Sequence, residues 1–239
     1  MKTLLLFGAI ALSLNSFGQV PAYVPTNGLN GWWPFNGNAN DESVNTNNGT
    51  VDGSILTTDR FGTPNSAYLF DGIDDFIQAS SVISNIDTVS ISLWVQLNND
   101  QGGSYIQIGH DGGGFCNGYG LGNGGTDFSN IGLNLYTLSS CNGWNNSTYD
   151  VTVSNWFNLI FIKENLSGSY YMDGVFLGSQ NLIAINQPSD SVYFGNAAEV
   201  GGFSLNGKLD DIGIWNRSLS QCEIQEIFNA QLTIDNTVT

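Results

Sequence analysis

The chain has 239 residues and carries 5 Lys and Arg against 21 Asp and Glu, a formal charge of −16. That balance leaves no basic surface to hold phosphates. It excludes nucleic acid and anionic membrane as partners, and strongly acidic polysaccharides unless a cation bridges them. The 30 glycines and the frequent Asn favour turns, which suits many short strands joined by many loops.

Residues 1–18 read as a secretory signal peptide. Lys2 is its charged start, Leu4 to Leu14 its apolar run, and Ser16 and Gly18 the small residues before a cut at Gln19. The run is too short to cross a bilayer and no later stretch is long enough, so no membrane span is expected. The cut carries no Cys for a lipid anchor. The expected location is secreted, extracellular or at the cell surface.

An N-terminal segment (19–27) leads into one domain over 28–232, and 233–239 reads as a tail or the start of a linker. Strand-like runs follow at 31–35, 67–70, 76–79, 89–97, 104–109, 118–123, 131–138, 156–164, 169–179, 191–196 and 207–216. Ile91, Leu93, Val95 and Leu97 alternate with Ser90, Ser92 and Gln96, the pattern of a half-buried antiparallel strand. Met172-Asp173-Gly174-Val175 predicts a hairpin with an Asp-Gly turn. Many strands with turn signals between them make the chain all-β, a sandwich or barrel. One short C-terminal helix is signalled. Ser220 and Glu223 form a capping box, Leu219 and Ile224 a hydrophobic staple, and Ile224, Ile227 and Phe228 an apolar stripe. It is expected to pack on the sandwich edge.

Of the three cysteines, Cys116 and Cys141 both sit in Gly/Asn-rich, loop-like sequence. Export permits a disulfide, and these two are the best pair. Cys222, in the helix, is the odd one out. There is no CxxC spacing and His110 is the single histidine, so a Cys/His metal site is not expected.

Five blocks together resemble the laminin-G-like, concanavalin A-like lectin/glucanase domain of bacterial extracellular proteins. They are "GLNGWWPFNGNANDES…NNGTVDGS", "FGTPNSAYLFDGIDDFIQ", "VSISLWVQL", "YYMDGVFLGS" and "GKLDDIGIWNRSLSQCEIQEIF", in the family's order over roughly residues 28–230. The resemblance implies a two-sheet antiparallel jelly-roll sandwich. It implies binding or adhesion more often than catalysis. It also implies a structural calcium ion on the convex side. Asp210 matches the position of a carboxylate ligand, Gly72 that of a carbonyl donor, and the stretch near Phe35–Asn36 another.

The acidic clusters Asp71-Gly72-Ile73-Asp74-Asp75 and Asp210-Asp211 carry two readings. In the plain one, Asp71-Gly72 is a turn and one Asp of each pair faces solvent, because successive strand residues point to opposite faces. In the other, Asp71, Asp74, Asp210, Asp211 and the Gly72 carbonyl gather around calcium, which takes six to eight oxygens.

Catalysis is not expected. The paired-carboxylate strand pattern of a glycosidase is missing, and His110 has no nucleophile elbow to serve. Segment 102–150 instead mixes aromatic residues with Gly and Asn. Trp144, Tyr149, Tyr119, Phe115 and Asn142 are the candidate ligand-binding residues, on a loop end near 110–149. Rings stack on sugars and amides bond hydroxyls, so a neutral glycan is the expected ligand. A protein surface, in an adhesion or interaction module, is the alternative, and a glycan-active enzyme a distant third. The other tryptophans, Trp32, Trp33, Trp94, Trp156 and Trp215, lie in strand-like sequence and read mostly as core or hairpin partners.

Overall fold

The computed structural model describes residues 19–80, 87–99, 101–108, 119–123, 134–140, 143–182, 191–196 and 203–230; at 119, 134–140 and 143–150 it describes the chain path alone. The strands in chain order are β1 (Leu29–Trp33), β2 (Thr50–Asp52), β3 (Ile55–Thr57), β4 (Ala67–Asp71), β5 (Phe76–Ser80), β6 (Thr88–Leu97), β7 (Gly103–Ile108) and β8 (Tyr119–Asn123). They continue with β9 (Asn134–Ser140), β10 (Gly143–Asp150), β11 (Trp156–Glu164), β12 (Ser167–Met172), β13 (Val175–Asn181), β14 (Ser191–Phe194) and β15 (Asn206–Trp215). The helix α1 (Gln221–Ala230) follows.

These strands form two antiparallel sheets, the sandwich the sequence called for. The front sheet runs β13-β12-β11-β6-β15-β4-β3, with β1 also paired to β15. The back sheet runs β10-β9-β8-β7-β14-β5-β2. Period-2 alternation builds the core between them. Val89, Ile91, Leu93, Val95 and Leu97 of β6 enter it, against Ile77, Ile106, Val192 and Phe194 of the back sheet. Each such side chain contributes roughly 1.5–3 kcal/mol by leaving water. Among the described residues no helix is long and apolar enough to cross a membrane.

A second apolar layer covers the outer face of the front sheet. Trp32, Trp215, Ile160 and Ile162 present it, and Ile224, Ile227, Leu219 and Val24 close over it. The helix therefore lies on a sheet face, not at the edge expected from sequence. The cause is the front sheet itself, whose strands are apolar on both faces there and need a cover. The helix start is as expected. Ser220 N–H donates to Glu223 Oε2 (2.8 Å) and Glu223 N–H to Ser220 Oγ (3.3 Å).

Met172 pairs with Val175 across a two-residue turn. Asp173 and Gly174 have φ of 51° and 73°, the type I′ conformation that an Asp-Gly hairpin adopts. Three strands were not read from sequence: β2, β3 and β10. The last one corrects the loop expected around Trp144. Residues 143–150 pair with β9 in a hairpin, with Gly143 opposite Ser140.

Candidate functional site

Phe115, Asn142, Cys116 and Cys141 lie outside the described residues, as does His110. Tyr119 opens β8, and Trp144 and Tyr149 lie on β10, the edge strand of the back sheet. Ile108 pairs with Tyr119 and Ser140 with Gly143. Both pairs lie at the same end of the back sheet.

Register places Trp144 in a row that crosses the whole back sheet. Thr50 pairs with Gln78, Gln78 with Tyr193, Tyr193 with Gln107, and Gln107 with Gly120. Gly120 then pairs with Leu138, and Leu138 with Trp144. Strands lie about 4.8 Å apart, so the row spans about 30 Å. Its members Gln78, Tyr193 and Gln107 alternate with Ile77, Val192, Phe194, Ile106 and Ile108 of the core. They therefore face outward.

On this face Phe76 and Tyr193 hold their rings 5.8 Å apart at 57°, both half-buried. Gln78 Nε2 donates to Ser191 Oγ (3.3 Å). Gly120 leaves space for the neighbouring amide: a Cβ there would stand 2.5 Å from Gln107 Oε1. At the surface the described row residues offer the Thr50 hydroxyl, the Gln78 amide and the Tyr193 ring and hydroxyl, and no carboxylate, while Gln107 is covered at 2% exposed.

One corner of the same face is acidic. Asp52 pairs with Phe76 in register. Asp71, Asp74 and Asp75 bring one carboxylate oxygen each within 4.8 Å of the others. Asp71 Oδ1 accepts the Ile73 N–H (2.8 Å) and Gly72 has φ of 81°, the turn read from sequence. Asp75 Oδ2 accepts the Asp71 N–H (2.9 Å). Burial raises the Asp75 carboxyl, and the charges of Asp71, Asp74 and Asp52 add to this while the Asp71 N–H opposes it. The loop carbonyls have partners: Gly72 O accepts from Gln101 Nε2 (3.2 Å) and Ile73 O from Ser204 Oγ (2.6 Å).

The fold does not bring Asp210 and Asp211 to this corner. Asp71 pairs with Asn206, so Asp210 stands about 13 Å further along β15. Its neighbour is Arg60. Arg60 Nη1 lies 2.7 Å from Asp210 Oδ2 and Nη2 lies 2.8 Å from Asp211 Oδ2, with all three side chains largely buried. Adjacent strand residues do not ordinarily face one way. Here the register with β6 slips between Asp210 and Gly213, and Asp211 takes φ of 46°. This β-bulge turns both carboxylates to one guanidinium. Arg60 also packs over the Phe61 and Trp94 rings, 4.6 and 4.5 Å from their centroids, and Phe228 of α1 stacks on Trp94. Burial pushes the Asp210 carboxyl up, with the Asp211 charge adding and Arg60 opposing.

Asp41 is a second organiser that sequence reasoning missed. It accepts the N–H groups of Trp32, Ser43 and Asn47 and the Ser43 hydroxyl, at 2.8–2.9 Å. Its signal was the Asp-x-Ser spacing in "NANDES", which suits a side chain folded back onto its own loop.

A family model of the concanavalin A-like lectin/glucanases superfamily matches residues 71–225. No curated protein sequence matches the chain. Among solved structures, the chain is similar to domain 4 of an extracellular arabinanase from Geobacillus stearothermophilus, determined in complex with arabinotriose. The identity is 17% and the TM-score 0.65, over 83% of this chain and 97% of that one. It is also similar to the binding domain of botulinum neurotoxin DC in complex with a sialyl ligand (16%, TM-score 0.59, 86% and 52%). A third is the Trypanosoma rangeli sialidase (16%, TM-score 0.65, 89% and 34%). The chain spans about half the length of the toxin binding domains it matches. At these identities the likeness is one of fold.

Proposed function

The chain belongs to the concanavalin A-like lectin/glucanase superfamily, and from that premise we propose that it is an exported, non-catalytic module that binds a neutral glycan on the outer face of its back sheet. The observation that carries this is the cross-strand row from Thr50 through Gln78, Tyr193 and Gln107 to Trp144. Its uncovered members Thr50, Gln78 and Tyr193 bring hydroxyls and an amide beside an aromatic pair, the donors and stacking surfaces a sugar chain uses. Two structural relatives were solved with sugars bound, arabinotriose and a sialyl ligand. The charge of −16 favours a neutral sugar over an anionic one here. The row carries no carboxylate pair of the kind a glycosidase places about its scissile bond.

Calcium belongs to this reading at one place. Asp71, Asp74 and Asp75 fit a hard cation: their oxygens converge, and a positive ion would offset the charges that raise Asp75. Asp210 and Asp211 do not fit, because Arg60 already bridges them. The ion would stiffen the corner beside Phe76.

A protein-interaction or adhesion module is the second reading, and one observation favours it. Val175 and Phe176 are 63% and 53% exposed on β13, an edge strand of the front sheet. An apolar pair on an open edge is a place for another protein to add.

A glycan array with and without calcium separates the two. Saturable binding to neutral oligosaccharides, lost in Tyr193→Ala, supports the glycan face. Silence across the array, with Val175→Lys abolishing capture of a protein partner, supports adhesion.

A further inference from the structure

A cavity of about 450 Å3 opens on the other side of the molecule, between the N-terminal segment, the start of β1 and the loop organised by Asp41. Val20, Leu29 and Val44 give it apolar walls, with Thr26 and Ser43 between them, and Glu42 sets one carboxylate in it. Leu29 is buried, while Val44 at the rim is 95% exposed.

Among the described residues the carboxylates around Glu42 are all neutralised or bonded except Glu42 itself. Asp41 is held by four donors and Asp211 by Arg60. Glu42 is fixed through its backbone, whose N–H donates to the Trp32 carbonyl (2.8 Å). Among the described residues its side chain meets burial and the like charges of Asp211 and Asp41, and all three raise its pKa. The site therefore has a field that selects cations and walls that select hydrocarbon. A hard metal ion is a poor match, since it demands six or more oxygens. A folded partner is too large. The volume suits a small molecule.

We propose that this cavity binds an organic ammonium ion on a short alkyl stem, with the charged head on Glu42 and the stem along Val20, Leu29 and Val44. This is a site separate from the glycan face and does not depend on it.

The test is a calorimetric titration of the protein with n-butylammonium, n-hexylammonium, n-hexanol and hexanoate. Hexylammonium saturates one site and binds roughly tenfold or more tighter than butylammonium, as about threefold to fourfold per added methylene requires. Hexanol binds at least tenfold more weakly than hexylammonium, and hexanoate shows no saturation. Glu42→Gln removes the preference for the ammonium over the alcohol. Val44→Ser weakens both ligands, and at so exposed a position it leaves the fold intact. Equal binding of hexanol and hexylammonium, or an unchanged Glu42→Gln variant, overturns the proposal.

Discussion

Arg60 and Asp210 stand 150 positions apart in the chain and 2.7 Å apart in the fold. Breaking one side of a buried ion pair strands the other, which costs about 3–5 kcal/mol. Arg60→Met should therefore lower stability by about that amount in urea unfolding. Adding Asp210→Asn and Asp211→Asn to Arg60→Met should restore most of it, because the stranded charges go with the substitution. A triple variant no more stable than the single one would show that packing of Arg60 between Phe61 and Trp94, and not charge, is what matters.

Calcium at the Asp71, Asp74, Asp75 corner predicts a melting temperature that rises with calcium and falls with chelator. An ion present at a hundred times its Kd stabilises the fold by about 2.7 kcal/mol. Asp74→Ala should abolish the response, and Arg60→Met should leave it in place. A melting curve indifferent to chelator would falsify the calcium assignment.

The glycan face predicts two aromatic hot spots. Stacking of a ring on a flat ligand, measured for bases, is worth about 1–3 kcal/mol. Tyr193→Ala and Trp144→Ala should each weaken affinity for a neutral oligosaccharide about tenfold, with far-ultraviolet circular dichroism unchanged. Affinity that survives both changes removes the back sheet as the binding face.

The cysteines predict a simple pattern. A non-reduced digest should contain one cross-linked peptide joining Cys116 to Cys141. Cys222, exposed and free, should take up an alkylating reagent before reduction. The bond should stabilise by about 2–4 kcal/mol. A Cys222 cross-link, or three alkylated thiols, contradicts the pairing.

The helix cap predicts a pH window. Arg217 bonds both Glu223 oxygens at 2.9 and 2.6 Å and, with the Ser220 donors, holds the Glu223 carboxyl down to about 2 from 4.5. A depressed carboxyl stabilises above its unfolded value and loses that contribution as pH falls through its folded one. Glu223→Gln keeps the cap and removes the charge, so it should cost about 0.5 kcal/mol at neutral pH, the scale of a solvent-screened surface pair, its side chains being 27% and 24% exposed. The difference from the parent should close between pH 4.5 and pH 2. A gap that stays constant across that window would mean the charge contributes nothing.

The legible parts of the chain were those written in local order. Alternation along β6, the Asp-Gly turn of β12–β13 and the Ser220–Glu223 cap each use residues within ten positions, and strand, turn and cap lie where the sequence puts them; the half-buried reading of β6 is corrected, because Ser90 and Ser92 are covered too. β2 and β3 are three residues long, too short to show a period. β10 is rich in Asn, Ser and Gly, poor strand formers, and takes its extended form from pairing with β9. Trp144 stands out by its type and its Asn-rich context, but the row that connects it to Tyr193 is hidden in the sequence, because Tyr193 and Gln107 are register partners and not sequence neighbours. The pairing of Arg60 with Asp210 and Asp211 was equally out of reach. Charge scarcity was its one hint: with 5 basic residues in the chain, a buried acidic pair would need one of them.

β15 pairs with β6 along one side and hands over from β4 to β1 on the other, at the Asp211 bulge. The last strand of the chain is thus the neighbour of three others, one of them the first. Contacts between such distant segments slow folding. Among the described strands β1 waits with no partner and β4 with β3 alone until Asn206–Trp215 has been made. A nascent or translocating chain therefore stays open until Asn206–Trp215 has emerged, and a ribosome stalled before Asn206 holds a chain with its front sheet still open.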